Sequence, residues 1–469
     1  MTFSSNYPKN KEALKRLLRI EKSFDLICKD TMIGGKCACF FFVDGFTKDE
    51  VMQKLLSGFY TIKNTDMPKT AQDFSIQQLP YIEADIVTNL SLTVTNILSG
   101  MTALLIDGYD AAICMDVRTY PARSVDQPEK EKVLRGSKDG FVETIVFNTA
   151  LIRRRIRDPR LTMEMLSVGR VSHTDVVLCY MENSVDQKLL TYVRRKLQTL
   201  EVKALSMNQT SLAECLYTRK WYNPFPKYKY TERPDTSAAS IMEGSLVILV
   251  DTSPSAIILP TSLFGIMEEA DDYYLPPITG SYLRLARFLI STVTFFITPV
   301  FLLLTMYPEW LPDWLRFIQL QEYTNVPLMF QFLILEVAID GLRLAAVNTP
   351  SMLSTPLSII AGLALGEYAV SSGWFNSEAM LYMAFVALSN YTQPSYELGY
   401  ALKFFRMITV VLTGFFGIYG LMGGTALLVL ALLSNHTIDG RRRYLYPLIP
   451  FDWKVLKRQL LRLRRDEDS

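Results

Sequence analysis

Residues 288–307 read FLISTVTFFITPVFLLLTMY, with no charged residue. At about 1.5 Å per residue, such a helix matches a hydrocarbon core of roughly 30 Å. Pro299 lies inside the run, which membrane helices tolerate when neighbours satisfy the freed carbonyl. More apolar runs follow. Residues 326–347 form a second, carrying Glu336, Asp340 and Arg343. Residues 348–356 (NTPSMLSTP) cannot stay helical through both prolines, and residues 357–371 form a short apolar run after them. Residues 378–390 begin another, and residues 398–433 are long enough for one long helix or two short ones. Gly414, Gly417, Gly420, Gly423 and Gly424 permit a bend there. The pattern predicts a helical, polytopic membrane domain over residues 281–435, with four to six segments. A buried core helix of a large soluble protein is the plainer alternative for any one run, but not for so many in succession.

Ahead of this domain the pattern changes to short apolar strands alternating with amphipathic helices. Residues 10–30 predict a basic amphipathic helix, and residues 37–45 (CACFFFVDG) a buried strand ending in a turn. Thr47 and Glu50 have capping-box spacing for the next helix. Residues 103–108 and 111–117 predict a hairpin turning at Tyr109-Asp110. Residues 118–135 read as a connecting loop. Residues 175–180 predict a strand and residues 189–200 a helix. Residues 220–240, rich in proline, tyrosine and charge, read as a linker. Two strand-length runs at 246–251 and 256–260 predict a further hairpin. Alternation of this kind argues α/β. The expected plan is a cytoplasmic α/β part of two subdomains (1–135 and 136–280), the membrane domain, and a tail over 436–469.

Charge supports that division. The chain has 469 residues and a formal net charge of +2, which gives no case for nucleic acid. Residues 288–434 carry only twelve charged residues, so nearly all the charge lies elsewhere. Residues 1–20 are polar and basic, unlike a secretory signal, and predict that the first part stays in the cytoplasm. All six cysteines precede the apolar runs, and free thiols are expected. Arg284 and Arg287 before the first span, and Arg441, Arg442 and Arg443 after the last, predict that both termini face the cytoplasm. Residues 452–465 place Trp453, Leu456, Leu460 and Leu463 on one side of a basic helix, suited to a membrane surface.

Candidate chemistry is sparse. The two histidines, His173 and His436, are far apart. Cys37 and Cys39 are too close together and too alone for a four-ligand zinc site, and read as strand core. Gly34-Gly35-Lys36 lacks the spacing and the hydroxyl of a phosphate loop. No nucleophile elbow or dinucleotide fingerprint occurs. The chain is therefore expected not to be an enzyme and to hold no cofactor or metal.

Two sets of charges carry the functional reading. Arg153, Arg154, Arg155 and Arg157 crowd the end of a helix, where positive charge is favoured. They are either a solvated basic cap or a grip on a neighbouring subunit or anionic lipid. Glu336, Asp340 and Arg343 lie toward one helix face inside an apolar run. They are either an ion pair locking helices or the lining of an ion path. Ser358, Gly362 and Gly366 recur every four residues with Glu367 beside them. That face suits close packing or a narrow pore, with Glu367 as a selectivity or gating charge.

Four blocks then carry a resemblance. GSKDGFVETIVFNTALIRRRIRDPRL (136–161), EADDYYLPPITGSYLRLARF (269–288), SNYTQPSYELGYALKFFR (389–406) and YLYPLIPFDW (444–453) resemble the GerA-type spore germination receptor A subunits. QFLILEVAIDGLRLAAVNTPS (331–351) is similar to one branch of that family. The resemblance implies a protein of the bacterial spore inner membrane, with two α/β subdomains before a membrane domain. It implies a homo-oligomeric ring, a pentamer being one such size, that conducts ions during germination. For the branch it implies ion release aided by a small membrane partner. Germination receptors and membrane lipid are the other partners implied. A scaffold that clusters receptors and a small-molecule transporter remain competing readings.

Overall fold

The structure, a computed structural model, describes residues 2–47, 49–79, 83–117, 131, 136–217, 222–321, 324–348, 362, 366, 368–438 and 440–462. It divides into two compact units, Met1–Thr218 with Tyr228–Pro260, and Arg219–Lys227 with Thr261–Ser469.

The first unit holds two five-stranded sheets. The first sheet joins β1 (Leu26–Ile33), β2 (Lys36–Val43), β3 (Ala84–Val87), β4 (Thr102–Ile106) and β5 (Ala112–Met115), in the order β1-β2-β4-β5-β3. The second joins β6 (Leu161–Val168), β7 (Thr174–Met181), β8 (Lys229–Thr231), β9 (Leu246–Val250) and β10 (Ala256–Leu259), in the order β6-β7-β9-β10-β8. The second order repeats the first strand for strand. Helices follow the same plan. α1 (Tyr7–Leu18) precedes β1; α2 (Asp49–Thr61) and α3 (Ala71–Gln77) follow β2; α4 (Leu90–Leu98) precedes β4. Likewise α5 (Ile145–Arg155) precedes β6, α6 (Gln187–Gln198) and α7 (Asn208–Leu216) follow β7, and α8 (Pro234–Met242) precedes β9.

Both faces of the first sheet are covered, which explains the unbroken apolar runs of its central strands. Ala103 and Leu105 of β4 pack with Leu14, Leu18, Val94 and Ile97 on one side. Leu104 and Ile106 pack with Leu55, Phe59 and Phe74 on the other. Successive side chains point to opposite faces, so both sets must be apolar. The two predicted hairpins form as β4–β5 and β9–β10. All strand pairs among the described residues are antiparallel.

Three readings of the chain change. The helix expected over 10–30 ends at Leu18, and residues 26–33 are β1. Its partner β2 is reached through Gly34-Gly35, both at positive φ, a turn that only glycine adopts easily at two successive positions. The stretch read as a linker contains β8 and α8. The capping box is not made: the Thr47 hydroxyl is buried without a partner. Most of 118–135 lies outside the described residues.

The second unit is helical. Short α9 (Leu263–Ile266) and α10 (Asp271–Tyr274) lead into α11 (Pro277–Met306), which contains Pro299. Then come α12 (Leu328–Asn348), α13 (Ser377–Tyr391), α14 (Tyr396–Phe416), α15 (Ile418–Leu433) and α16 (Trp453–Leu460). Gly417, at φ 57°, ends α14 and lets α15 fold back on it. A Cβ at Gly420 would overlap the Leu412 carbonyl, and one at Gly424 the Thr409 side chain. These glycines let the two backbones touch. Among the described residues two helices, Pro277–Met306 and Tyr396–Phe416, are long and apolar enough to cross a membrane. Between α11 and α12, Trp310, Trp314 and Phe317 are exposed.

Candidate functional site

The charges of α12 meet charges of α14. Glu336 and Asp340 are one helical turn apart on α12, and Lys403 and Arg406 nearly one turn apart on α14, so two facing rows come together. Arg406 donates through Nε to Glu336 Oε1 at 2.8 Å and through Nη2 to the same oxygen at 2.5 Å. Lys403 Nζ lies 3.3 Å from Glu336 Oε2 and 2.5 Å from Asp340 Oδ2. It also donates to the Glu336 carbonyl, and Arg406 Nη1 donates to the Thr294 carbonyl of α11. Glu336, Lys403 and Arg406 are buried, while Asp340 is half-exposed. Two carboxylates and two cations balance. Burying either pair alone costs heavily, because a charge without a partner is poorly tolerated in a low dielectric.

Arg343 stands apart from the ion pairs. Its guanidinium faces the rings of Tyr391 and Tyr400, at 5.2 and 5.6 Å from their centroids. A cavity of about 10 Å³ opens between Arg343, Asn390, Tyr396, Gly399, Tyr400 and Lys403, room for about one water. The sequence reading missed Lys403 and Arg406. Their spacing of three, set against acids spaced by four on another apolar helix, was the available signal.

A second buried cluster anchors the start of α11. Asp272, fully buried, accepts from Arg284 Nε at 3.1 Å and pairs with the Arg287 guanidinium. Arg287 also donates to the Met267 carbonyl, and Arg284 to the carbonyls of Arg458 and Gln459 on α16. The two arginines expected to flank a span are thus internal ligands of one aspartate.

A Cβ at Gly362 or Gly366 would meet nothing within 4 Å among the described residues. Ser358 and Glu367 lie outside the described residues.

The arginines of α5 separate. Arg153 is 0% exposed and grips Asp25, itself 1% exposed, through Nε at 2.8 Å and Nη2 at 3.1 Å. Its Nη2 also donates to Ser23 Oγ and the Leu161 carbonyl. Arg153 therefore cannot meet lipid or a neighbouring subunit; it ties the first α/β layer to the second. Arg155 pairs with Asp139 at 2.9 Å. Arg154 and Arg157 are exposed. The amino end of α5 is met by Asp251, which accepts from the Ile145 N–H at 3.2 Å. Near the Arg153 lock, burial holds the Asp44 carboxyl above the usual carboxylate range.

The family described as "Bacillus/Clostridium GerA spore germination protein" matches residues 12–468. Stage V sporulation protein AF of Bacillus subtilis (strain 168) is 37% identical over 458 residues, 97% of this chain and 92% of that protein. Spore germination protein A1 of the same organism is 28% identical over 409 residues, 87% of this chain and 84% of that protein. The crystal structure of the N-terminal domain of the A subunit of the Bacillus megaterium spore germinant receptor GerK3 is similar at a TM-score of 0.42 and 23% identity, over 55% of this chain and 96% of that chain.

Proposed function

The chain belongs to the GerA family of spore germination proteins, and from that premise we propose that it is a subunit of an oligomeric ion channel in the spore inner membrane. In this reading several copies form a ring, the helical domain of each crosses the membrane an even number of times, both termini are cytoplasmic, and opening promotes ion release during germination. Germination receptors and a small membrane protein are its partners. The chain itself performs no catalytic step.

The observation that carries the reading is the tetrad of Glu336, Asp340, Lys403 and Arg406 inside otherwise apolar helices. Intramembrane ionisable groups are rare and mark polar paths by default. Asp340 gives the tetrad one half-exposed edge. The cavity beside it has no room for a hydrated ion, so the path belongs between copies rather than within one. Gly341, Gly362 and Gly366, where a Cβ would meet nothing within 4 Å among the described residues, suit such a shared lining.

Germinating spores carrying Gly362→Leu or Glu367→Gln test this by their potassium release. Release is expected to slow by severalfold in at least one of them; normal release in both removes the pore assignment. The tetrad also favours a second reading, a scaffold for receptors, because paired charges lock helices firmly. Reconstituted protein that binds receptors but passes no ions decides for the scaffold, and a saturable flux with substrate preference decides for a transporter.

A further inference from the structure

The β1–β2 hairpin gathers donors that its sequence keeps apart. Asp30 of β1 lies directly across from Cys39 of β2. Cys28, two residues back on β1, points to the same face. Cys28 Sγ, an Asp30 carboxylate oxygen and Cys39 Sγ all lie within 4.8 Å of one another. Tetrahedral zinc with bonds of about 2.0–2.3 Å sets its ligands about 3.3–3.8 Å apart, so a small side-chain closure completes three corners. Cys39 is buried and Cys28 half-buried, while the Asp30 side chain is 65% exposed. The exposed Asp30 side gives an ion access from solvent, and the Tyr7 side chain lies against Cys39. Lys11 of α1 sits 2.6 Å from one Asp30 oxygen and leaves the other for a ligand bond.

We propose that Cys28, Cys39 and Asp30 form a binding site for a borderline-soft divalent cation of the Zn²⁺ class. On binding, the two thiols release their protons to solvent and no electrons move. Two thiolates, a carboxylate and a divalent ion leave one negative charge, which the Lys11 ammonium offsets. The ion staples β1 to β2 beneath α1. The site is independent of the channel reading.

The test uses the full-length protein in detergent, fully reduced, titrated with Co²⁺ and then Zn²⁺. One equivalent of Co²⁺ is expected to give thiolate-to-cobalt charge-transfer absorption, which Zn²⁺ abolishes. Cys28→Ser and Asp30→Asn are expected to weaken binding by more than about ten-fold, since even supporting partners of a metal ligand give losses of about 10–100-fold. Both positions are accessible enough to be changed without unfolding the sheet, and circular dichroism checks that. Cys37→Ser, an exposed thiol outside the cluster, is expected to leave the band intact. Absence of the band, its survival in Cys28→Ser, or its equal loss in Cys37→Ser overturns the site.

Discussion

At the residue scale, identity and position say little about partners. Arg153 to Arg157 form one basic run in sequence, yet Arg153 turns inward to Asp25 while Arg154 and Arg157 stay outside. Removing one member of a fully buried pair strands the other charge. Arg153→Ala is therefore expected to destabilise the first unit by about 3–5 kcal/mol, read by chemical denaturation. Asp44 gives a pH prediction of the opposite kind. Its folded-state pKa is raised by burial, so its ionisation opposes folding. The stability it contributes is fully present below the unfolded value of about 3.9 and is lost as pH rises through the folded value. Asp44→Asn is expected to raise the melting temperature at pH 7, with an advantage that vanishes in acid. An advantage that persists below the ordinary aspartate range contradicts this cause. Cys37 and Cys39 show how much escaped the sequence. The apolar run predicts strand core for both, but Cys37 is exposed. The neighbours of Cys39 come from β1, a strand whose Lys29 and Asp30 hid it inside an apparent basic helix.

At the element scale, long apolar runs were legible and their internal contacts were not. The runs at 288–307 and 326–347 fall within α11 and α12. The glycine-rich stretch splits at Gly417 into two helices, one of the two alternatives its length allowed. Which glycines matter needed the fold. Gly420 and Gly424 sit against the backbone and side chains of α14, whereas Gly423 faces open space. Gly420→Ala is thus expected to destabilise by about 1–3 kcal/mol through overpacking. Gly423→Ala is expected to stabilise by up to about 1 kcal/mol through helix propensity. Thermal unfolding of the detergent-solubilised protein checks both, and equal effects of the two changes contradict the packing assigned to Gly420.

At the scale of the whole molecule, the division into an α/β part and a helical part was visible in the distribution of charge. The repetition of strand order between the two sheets was not. Matching topologies are fixed by which edges pair, and pairing tolerates wholly different apolar side chains. The register of Cys28 to Phe41 and the register of Met163 to Cys179 share no sequence pattern. The second sheet also depends on chain that looked like a connector. β9 lies between β7 and β10, so a fragment ending at residue 218 lacks three of five strands. A fragment of residues 1–260 is expected to be soluble and cooperatively folded, and one of residues 1–218 to aggregate through the exposed edge of β7. Chromatography and circular dichroism distinguish them; a well-folded 1–218 fragment contradicts the shared sheet.

The turn at Gly417 joins legs of unequal reach, 21 residues in α14 and 16 in α15, or about 32 and 24 Å. If α14 stands upright in a bilayer, as the proposed channel requires, its returning partner stops about one and a half turns short, and the polar Ser434–Asn435 end is drawn toward the acyl chains. Lipids with shorter tails relieve that tension and longer ones sharpen it. The ease with which this hairpin tilts is then set by the surrounding lipid as much as by the chain itself.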